Sequence, residues 1–234
     1  MRTVEPLYGM TFVQDDGLPK FTTDALLLAD FAPPVRGAMA DFCCGTGILS
    51  VLLCAKNPGA LSAIELSADA AALARENLAR NGFAERARVR AGDLRDFSCL
   101  PPPNSLSLAV CNPPYFAPSA GMVSPDASRA AARAELSLTL SDLFLAARRS
   151  LAYHGRLCLC FRPERSEELL RGLADAGLAP KRLRFVHPRP GAPANLLLCE
   201  ARKGSAPGLT VDPPLLLSEA DGSPSAEYRR IYQL

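Results

Sequence analysis

From residue 38 onward, short apolar runs alternate with amphipathic stretches of helical length, a pattern that predicts repeated strand–helix–strand units. AMADF at 38–42 reads as a buried strand ending beyond Asp41. The turn Gly45-Thr46-Gly47 follows it, then the helix ILSVLLCAK, stopped by Asn57-Pro58-Gly59. LSAIEL at 61–66 reads as a second strand with Glu65 near its carboxyl end. Ser67 is placed to cap the next helix, ADAAALARENLARNG, which packs through Leu73, Asn77, Leu78 and its alanines and closes at Asn81-Gly82. ARVRAGD at 87–93 and SLAVCN at 107–112 are the third and fourth strands, the latter reached through a loop containing Pro101-Pro102-Pro103. Residues 116–137 show no clear periodicity and read as a long loop. LTLSDLFLAARRSLAYHG predicts a helix ending at Gly155, RLCLCF a fifth strand, and PERSEELLRGLADAG a helix ending at Gly177. KRLRFVH and ANLLLCEARK complete the set, joined across His187-Pro188-Arg189-Pro190-Gly191.

Strands alternating with helices define an α/β fold with a mostly parallel sheet and helices on both faces. The last two strands are joined by a loop too short for a crossover, so they are expected antiparallel, giving seven strands with one reversed. No internal repeat is visible. The first 35 and last 30 or so residues read as additions to one core.

Composition narrows the class. Hydrophobic residues make up 48% of the 234 and charged residues 21%, enough apolar material for one sizeable core. The opening decapeptide has no apolar signal-peptide core, and no apolar run has membrane-spanning length, so a cytoplasmic protein is expected. Of the eight cysteines, Cys43 and Cys44 are adjacent, and Cys111, Cys158, Cys160 and Cys199 fall in strand-like runs. With no C-x-x-C pair and two histidines, these read as reduced, mostly buried thiols rather than disulfides or a metal site. Charge is uneven: residues 148–190 carry 10 basic and 4 acidic side chains, a segment compatible with a phosphate backbone through Arg182, Arg184 and Arg189.

The candidate chemistry lies at strand carboxyl ends. Asp41-Phe42-Cys43-Cys44-Gly45-Thr46-Gly47 is a strand–turn–helix of the kind that brings backbone close to a nucleotide. Ser50 occupies the position of the third glycine that a dinucleotide fingerprint uses, so pyrophosphate binding is not favoured. Glu65 is placed to accept both hydroxyls of a ribose, a role common to several nucleoside cofactors. Asp93, before Leu94, is placed to accept from an adenine amino group.

The most specific motif is Asn112-Pro113-Pro114-Tyr115, which follows the fourth strand. Its prolines stiffen the turn and supply no N–H. An amino group conjugated to a ring or carbonyl is a poor nucleophile. Two acceptors, the Asn112 side-chain oxygen and the Pro113 carbonyl, hold its N–H bonds, favour a pyramidal nitrogen and aim the lone pair. With a strongly electrophilic methyl donor, such positioning suffices without a strong base. Tyr115 is placed to stack on a planar substrate. The arrangement serves adenine and carboxamide nitrogens alike.

The whole pattern resembles the class I, Rossmann-like methyltransferases of the amino-methylating N-P-P-Y group. Within it the chain is most similar to the transfer-RNA-1-valine adenine-N6 methyltransferase family. The resemblance rests on Gly17 to Ala29 (G-x-x-K-x-x-x-D-A-x-L-L-A), on DFCCGTGILS, on Asn112 to Tyr115, on Arg133 with Glu135, on Pro214-Leu215, and on the Tyr228 to Tyr232 tail. It implies methyl transfer from S-adenosyl-L-methionine, leaving S-adenosyl-L-homocysteine, to N6 of the adenosine beside the anticodon of a valine tRNA. It implies a segment covering the cofactor over 1–35, a catalytic domain over 36–203 and an extension packed on the core over 204–234. Lys20, Asp24, Asp41, Cys43, Gly45, Gly47, Glu65, Leu66, Asp93, Leu94 and Asn112 are the expected cofactor contacts. Tyr115, Phe116, Arg129, Arg133, Arg182 and Arg184 are the expected RNA contacts. No metal and no membrane are expected, and the chain is expected to be a monomer or homodimer. The alternatives are methylation of a glutamine side chain in a release factor, methylation of ribosomal RNA or a small molecule, and a non-catalytic RNA-binding module. A glutamine enzyme usually carries a helical substrate domain, for which the stretch before the first strand is short.

Overall fold

A computed structural model describes residues 1–20, 22–113 and 138–233. The strands are β1 (Arg2–Leu7), β2 (Met10–Asp15), β3 (Met39–Phe42), β4 (Leu61–Glu65), β5 (Ala87–Ala91), β6 (Leu106–Cys111), β7 (Leu151–Phe161), β8 (Leu178–His187), β9 (Leu196–Lys203), β10 (Thr210–Val211) and β11 (Leu215–Leu216). The helices are α1 (Thr23–Phe31), α2 (Ile48–Lys56), α3 (Ala68–Arg80), α4 (Leu140–Ser150), α5 (Ser166–Asp175) and α6 (Ala226–Tyr232).

The central sheet runs β10-β8-β9-β7-β6-β3-β4-β5, with β11 also on β8. The seven expected strands are present, and β9 is antiparallel to both β7 and β8. The expected count is corrected from seven to nine. The two-residue strands β10 and β11 add parallel pairing to β8, and neither carries a hydrophobic run long enough to announce a strand.

The apolar faces sort into two layers. One holds α1, α2 and Leu78 of α3, together with Val110, Cys158, Cys160 and Leu198. The other holds α4 and α5 against Ala109, Leu157, Leu159 and Leu197. The Ala25–Ala29 run of α1 is wholly buried, as its composition predicts. All eight cysteines are free thiols and six are buried. Among the described residues no helix is long and apolar enough to cross a membrane.

The helix expected to reach Gly155 ends instead at Ser150, and β7 begins at once with Leu151 paired to Leu106. Thr139 and Asp142 form a capping box at its start. At its end, strand pairing overrides the helical pattern of 151–154. The register then shifts between Leu106 and Leu108. A Cβ at Gly155 would lie 2.7 Å from the Leu106 carbonyl oxygen. This glycine therefore allows two backbones to approach rather than capping a helix.

β1 and β2 form a separate hairpin that the sequence pattern did not announce. Its two-residue turn, Tyr8-Gly9, has positive φ at both positions, 56° and 68°, which matches the twist of paired strands. Asn77 of α3 and Asn81, the residue that caps its C-terminus, clamp it. The side chains of Asn77 and Asn81 accept from the backbone N–H of Val13 (2.7 Å) and Thr11 (2.9 Å) and donate back to the same residues' carbonyls.

Candidate active site at the strand carboxyl ends

β3 and β6 are neighbours in the sheet, and the order runs outward from them in opposite directions. This is the switch point at which open α/β sheets bind ligands. Phe42 and Cys111 are register partners and the last residues of their strands. Cys43 and Asn112 therefore leave the sheet side by side, the first into the glycine turn and the second into the proline turn. On the other side of β3, Phe42 pairs with Ile64, which places Glu65 one residue beyond.

The glycine turn is built from a chain of constraints. Cys43, Gly45 and Gly47 all have positive φ, at 60°, 53° and 87°. The two glycines do different work. A Cβ on Gly47 would sit 2.9 Å from the backbone and side chain of Ala74, so Gly47 lets α2 pack on α3. A Cβ on Gly45 would meet nothing within 4 Å, so Gly45 faces open space. The Gly45 N–H donates to Glu65 Oε2 at 2.9 Å, and the Ser67 N–H donates to Glu65 Oε1 at 2.9 Å. The turn and the end of β4 are thereby tied together.

Asp41 lies beneath this turn and is 1% exposed. Ser50 Oγ donates to its Oδ2 at 2.6 Å, while its buried Oδ1 has no partner. Burial pushes the Asp41 carboxyl up to about 7, aided by the neighbouring Glu65 and opposed by Ser50. Ser50, expected only as a missing glycine, turns out to hold the buried acid. Leu66, next to Glu65, is 56% exposed and offers an apolar surface beside the turn.

Asn112 is half-buried, and Cys160 at the end of β7 donates its thiol to Asn112 Oδ1 at 2.9 Å. Sequence spacing gave no signal of this contact, because the two residues meet only through pairing of β6 with β7. Cys111 is fully buried. Burial, then the adjacent Cys43 thiol, push the Cys111 thiol well up, so it stays neutral. Pro113 is buried.

The remaining expected residues separate. Both oxygens of Asp93 accept from the Arg95 side chain, which holds its carboxyl below the usual range. Leu94 is buried in the core. Lys20 pairs at the surface with Asp16 at 3.1 Å, and Asp24 lies in the first turn of α1. Arg184 makes a two-pronged ion pair with Glu227 at 2.8 and 2.7 Å. Arg182 donates to the Phe31 carbonyl at 2.5 Å and lies over its ring. Both arginines thus hold parts of this chain together. Pro114, Tyr115, Phe116, Arg129 and Arg133 lie outside the described residues.

Residues 21–168 match the model of the methyltransferase small domain family. A tRNA1(Val) (adenine(37)-N6)-methyltransferase of Tolumonas auensis is 36% identical over 92% of this chain and 89% of its own. One of the same description from Parabacteroides distasonis is 35% identical over 77% of this chain and 76% of its own. Among solved structures, one described as a predicted O-methyltransferase from Agrobacterium tumefaciens superposes with a TM-score of 0.73 at 23% identity, covering 90% of this chain and 96% of that one. Fold and site together define a Rossmann-like, S-adenosylmethionine-dependent methyltransferase. Within that class, the chain belongs to the tRNA1(Val) (adenine(37)-N6)-methyltransferase family.

Proposed function

We propose that this protein methylates N6 of adenosine 37 in tRNA1(Val), as its curated relatives are named for doing, and that Asn112 and Pro113 hold the amino group that is methylated. The observation that carries the site assignment is the exit of Cys43 and Asn112 from paired ends of β3 and β6.

The residues fit the cofactor. Asp41 Oδ1 is a buried acceptor without a partner, suited to an ammonium group, and its ionisation on binding would supply the counter-charge. The Glu65 oxygens retain lone pairs for ribose hydroxyls beyond the two N–H bonds they accept. Leu66 provides the apolar face for an adenine ring, and the open space over Gly45 lets a ligand touch backbone. Asp93 serves an adenine amino group only through lone pairs that Arg95 leaves free. When bound, S-adenosyl-L-methionine supplies a methyl group on an electron-poor sulfonium.

This chain's own contribution to transfer is placement. Asn112 Oδ1 has two lone pairs; the Cys160 thiol takes one, and the second accepts an N–H of the target. The Pro113 carbonyl accepts the other N–H. The nitrogen's lone pair is thereby withdrawn from conjugation and aimed at the cofactor side of the turn. The proton shed after transfer leaves an already cationic nitrogen, so no strongly basic residue is required.

Incubating the protein with methyl-labelled cofactor and either bulk tRNA or release factor tests the substrate class. Label is expected in tRNA; label confined to protein would overturn the reading.

A further inference from the structure

A cavity of about 620 Å³ opens along β7, β9 and β8, away from the strand ends that form the candidate active site. Its charged lining is one-sided: Arg156, Lys181, Arg182 and Arg202 surround Glu200 alone. Register explains the convergence. Arg156 faces Arg202 across the β7–β9 pair, and Arg182 faces Glu200 across β8–β9, so alternate positions project to the same side. Glu200 is 3% exposed, and three guanidiniums approach it, Arg202 at 2.8 Å, Arg182 at 3.6 Å and Arg156 at 3.7 Å.

One carboxylate organises these guanidiniums but does not neutralise them. Lys181 adds a further cation whose ammonium, among the described residues, donates to the neutral Ala206 carbonyl at 3.1 Å. Asp212 stands 3.7 Å from Arg182, outside the lining. A concave surface with low-dielectric walls concentrates the field of such an excess. The guanidinium forks are suited to the oxygens of a tetrahedral anion.

We propose that this cavity is a phosphate-binding site, distinct from the methyl-transfer site. The phosphate is that of an RNA backbone, or else a free or nucleotide phosphate of the same chemistry. The RNA source rests on the tRNA methyltransferase reading; the site itself does not.

The test uses the full chain with Lys181→Gln and Arg156→Gln, leaving Arg182 and Arg202, which hold Glu200 and α1. Binding of an unmodified tRNA transcript is followed by fluorescence anisotropy across a salt series, with methylation of the same transcript measured in parallel. Each variant is expected to bind more weakly and to lower the slope of log affinity against log salt by about 0.7–0.9, the loss of one phosphate contact, with cofactor affinity unchanged. A second arm adds inorganic phosphate and reads the thermal midpoint. If tRNA slopes stay at the wild-type value but phosphate stabilises the wild type and not the variants, the site stands and its ligand is a small phosphate. Unchanged slopes together with equal phosphate response in wild type and variants overturn it. That result with methylation intact removes this site alone, whereas absent methylation with altered slopes removes only the catalytic reading.

Discussion

In the proposed function Asn112 carries the reaction chemistry, and its side chain accepts from Cys160, a neighbour that sequence does not reveal. Asn112→Ala is expected to cut single-turnover methyl transfer at least 100-fold, about 2.7 kcal/mol, while calorimetry shows cofactor affinity nearly unchanged. Unaltered turnover would remove its acceptor role. Cys160→Ala takes away only a weak S–H donor, so a loss of about two- to fivefold in kcat with KM unchanged is expected, and Cys160→Ser should recover most of it. A loss in KM instead would place Cys160 in binding. Asp41 makes a pH prediction. Its folded pKa, about 7, lies above the ordinary 3.8, so between these values the native state holds a proton that the unfolded chain has released. The contribution of Asp41 to stability therefore falls as pH rises from 4 to 7. Denaturant unfolding without cofactor should show Asp41→Asn gaining on the wild type between pH 5 and pH 8, by at most about 3 kcal/mol. A pH-independent difference would contradict the buried, protonated acid.

At the scale of elements, what could be read from sequence is what local pattern encodes. α2 spans Ile48–Lys56, as the apolar run between Gly47 and Asn57 indicates. The parallel strands and the reversed β9 follow from segment order and one short loop. The β1–β2 hairpin was hidden because its β1 strand alternates only between exposed and half-buried positions, and its turn uses Tyr-Gly rather than a stronger hairpin pair. Its attachment depends on Asn77, 1% exposed, which read as part of a packing stripe but serves Val13 and also donates to the Thr46 carbonyl at 2.9 Å. Asn77→Ala leaves these buried backbone groups without their partner and is expected to cost about 1–3 kcal/mol. In a domain of this size the thermal midpoint should drop by about 2–4 °C per kcal/mol. Because Thr46 belongs to the glycine turn, cofactor affinity should fall as well. A variant that melts like the wild type would show the hairpin is held elsewhere.

Across the whole molecule, long-range ion pairs engage basic residues that composition alone reads as an RNA surface. Arg184 was legible as a basic residue but not as the partner of Glu227, 43 positions away. Arg230 clasps Asp30 at 2.8 and 3.0 Å, and Tyr232 donates to Thr23 Oγ1 at 2.7 Å, so α6 is fastened to α1. Pairings of this kind are set by the fold and leave no periodic trace. Arg184→Ala is therefore expected to destabilise the protein by about 1.5–3 kcal/mol through loss of charged hydrogen bonds, without altering the salt slope of tRNA binding. A reduced slope with unchanged stability would return Arg184 to the RNA surface. The account as a whole meets its most direct test in mass spectrometry of nucleosides from tRNA1(Val), purified from cells with and without the gene. N6-methyladenosine at position 37 is expected with the gene and absent without it, and restored by the wild type but not by Asn112→Ala. Equal modification in both strains would contradict it.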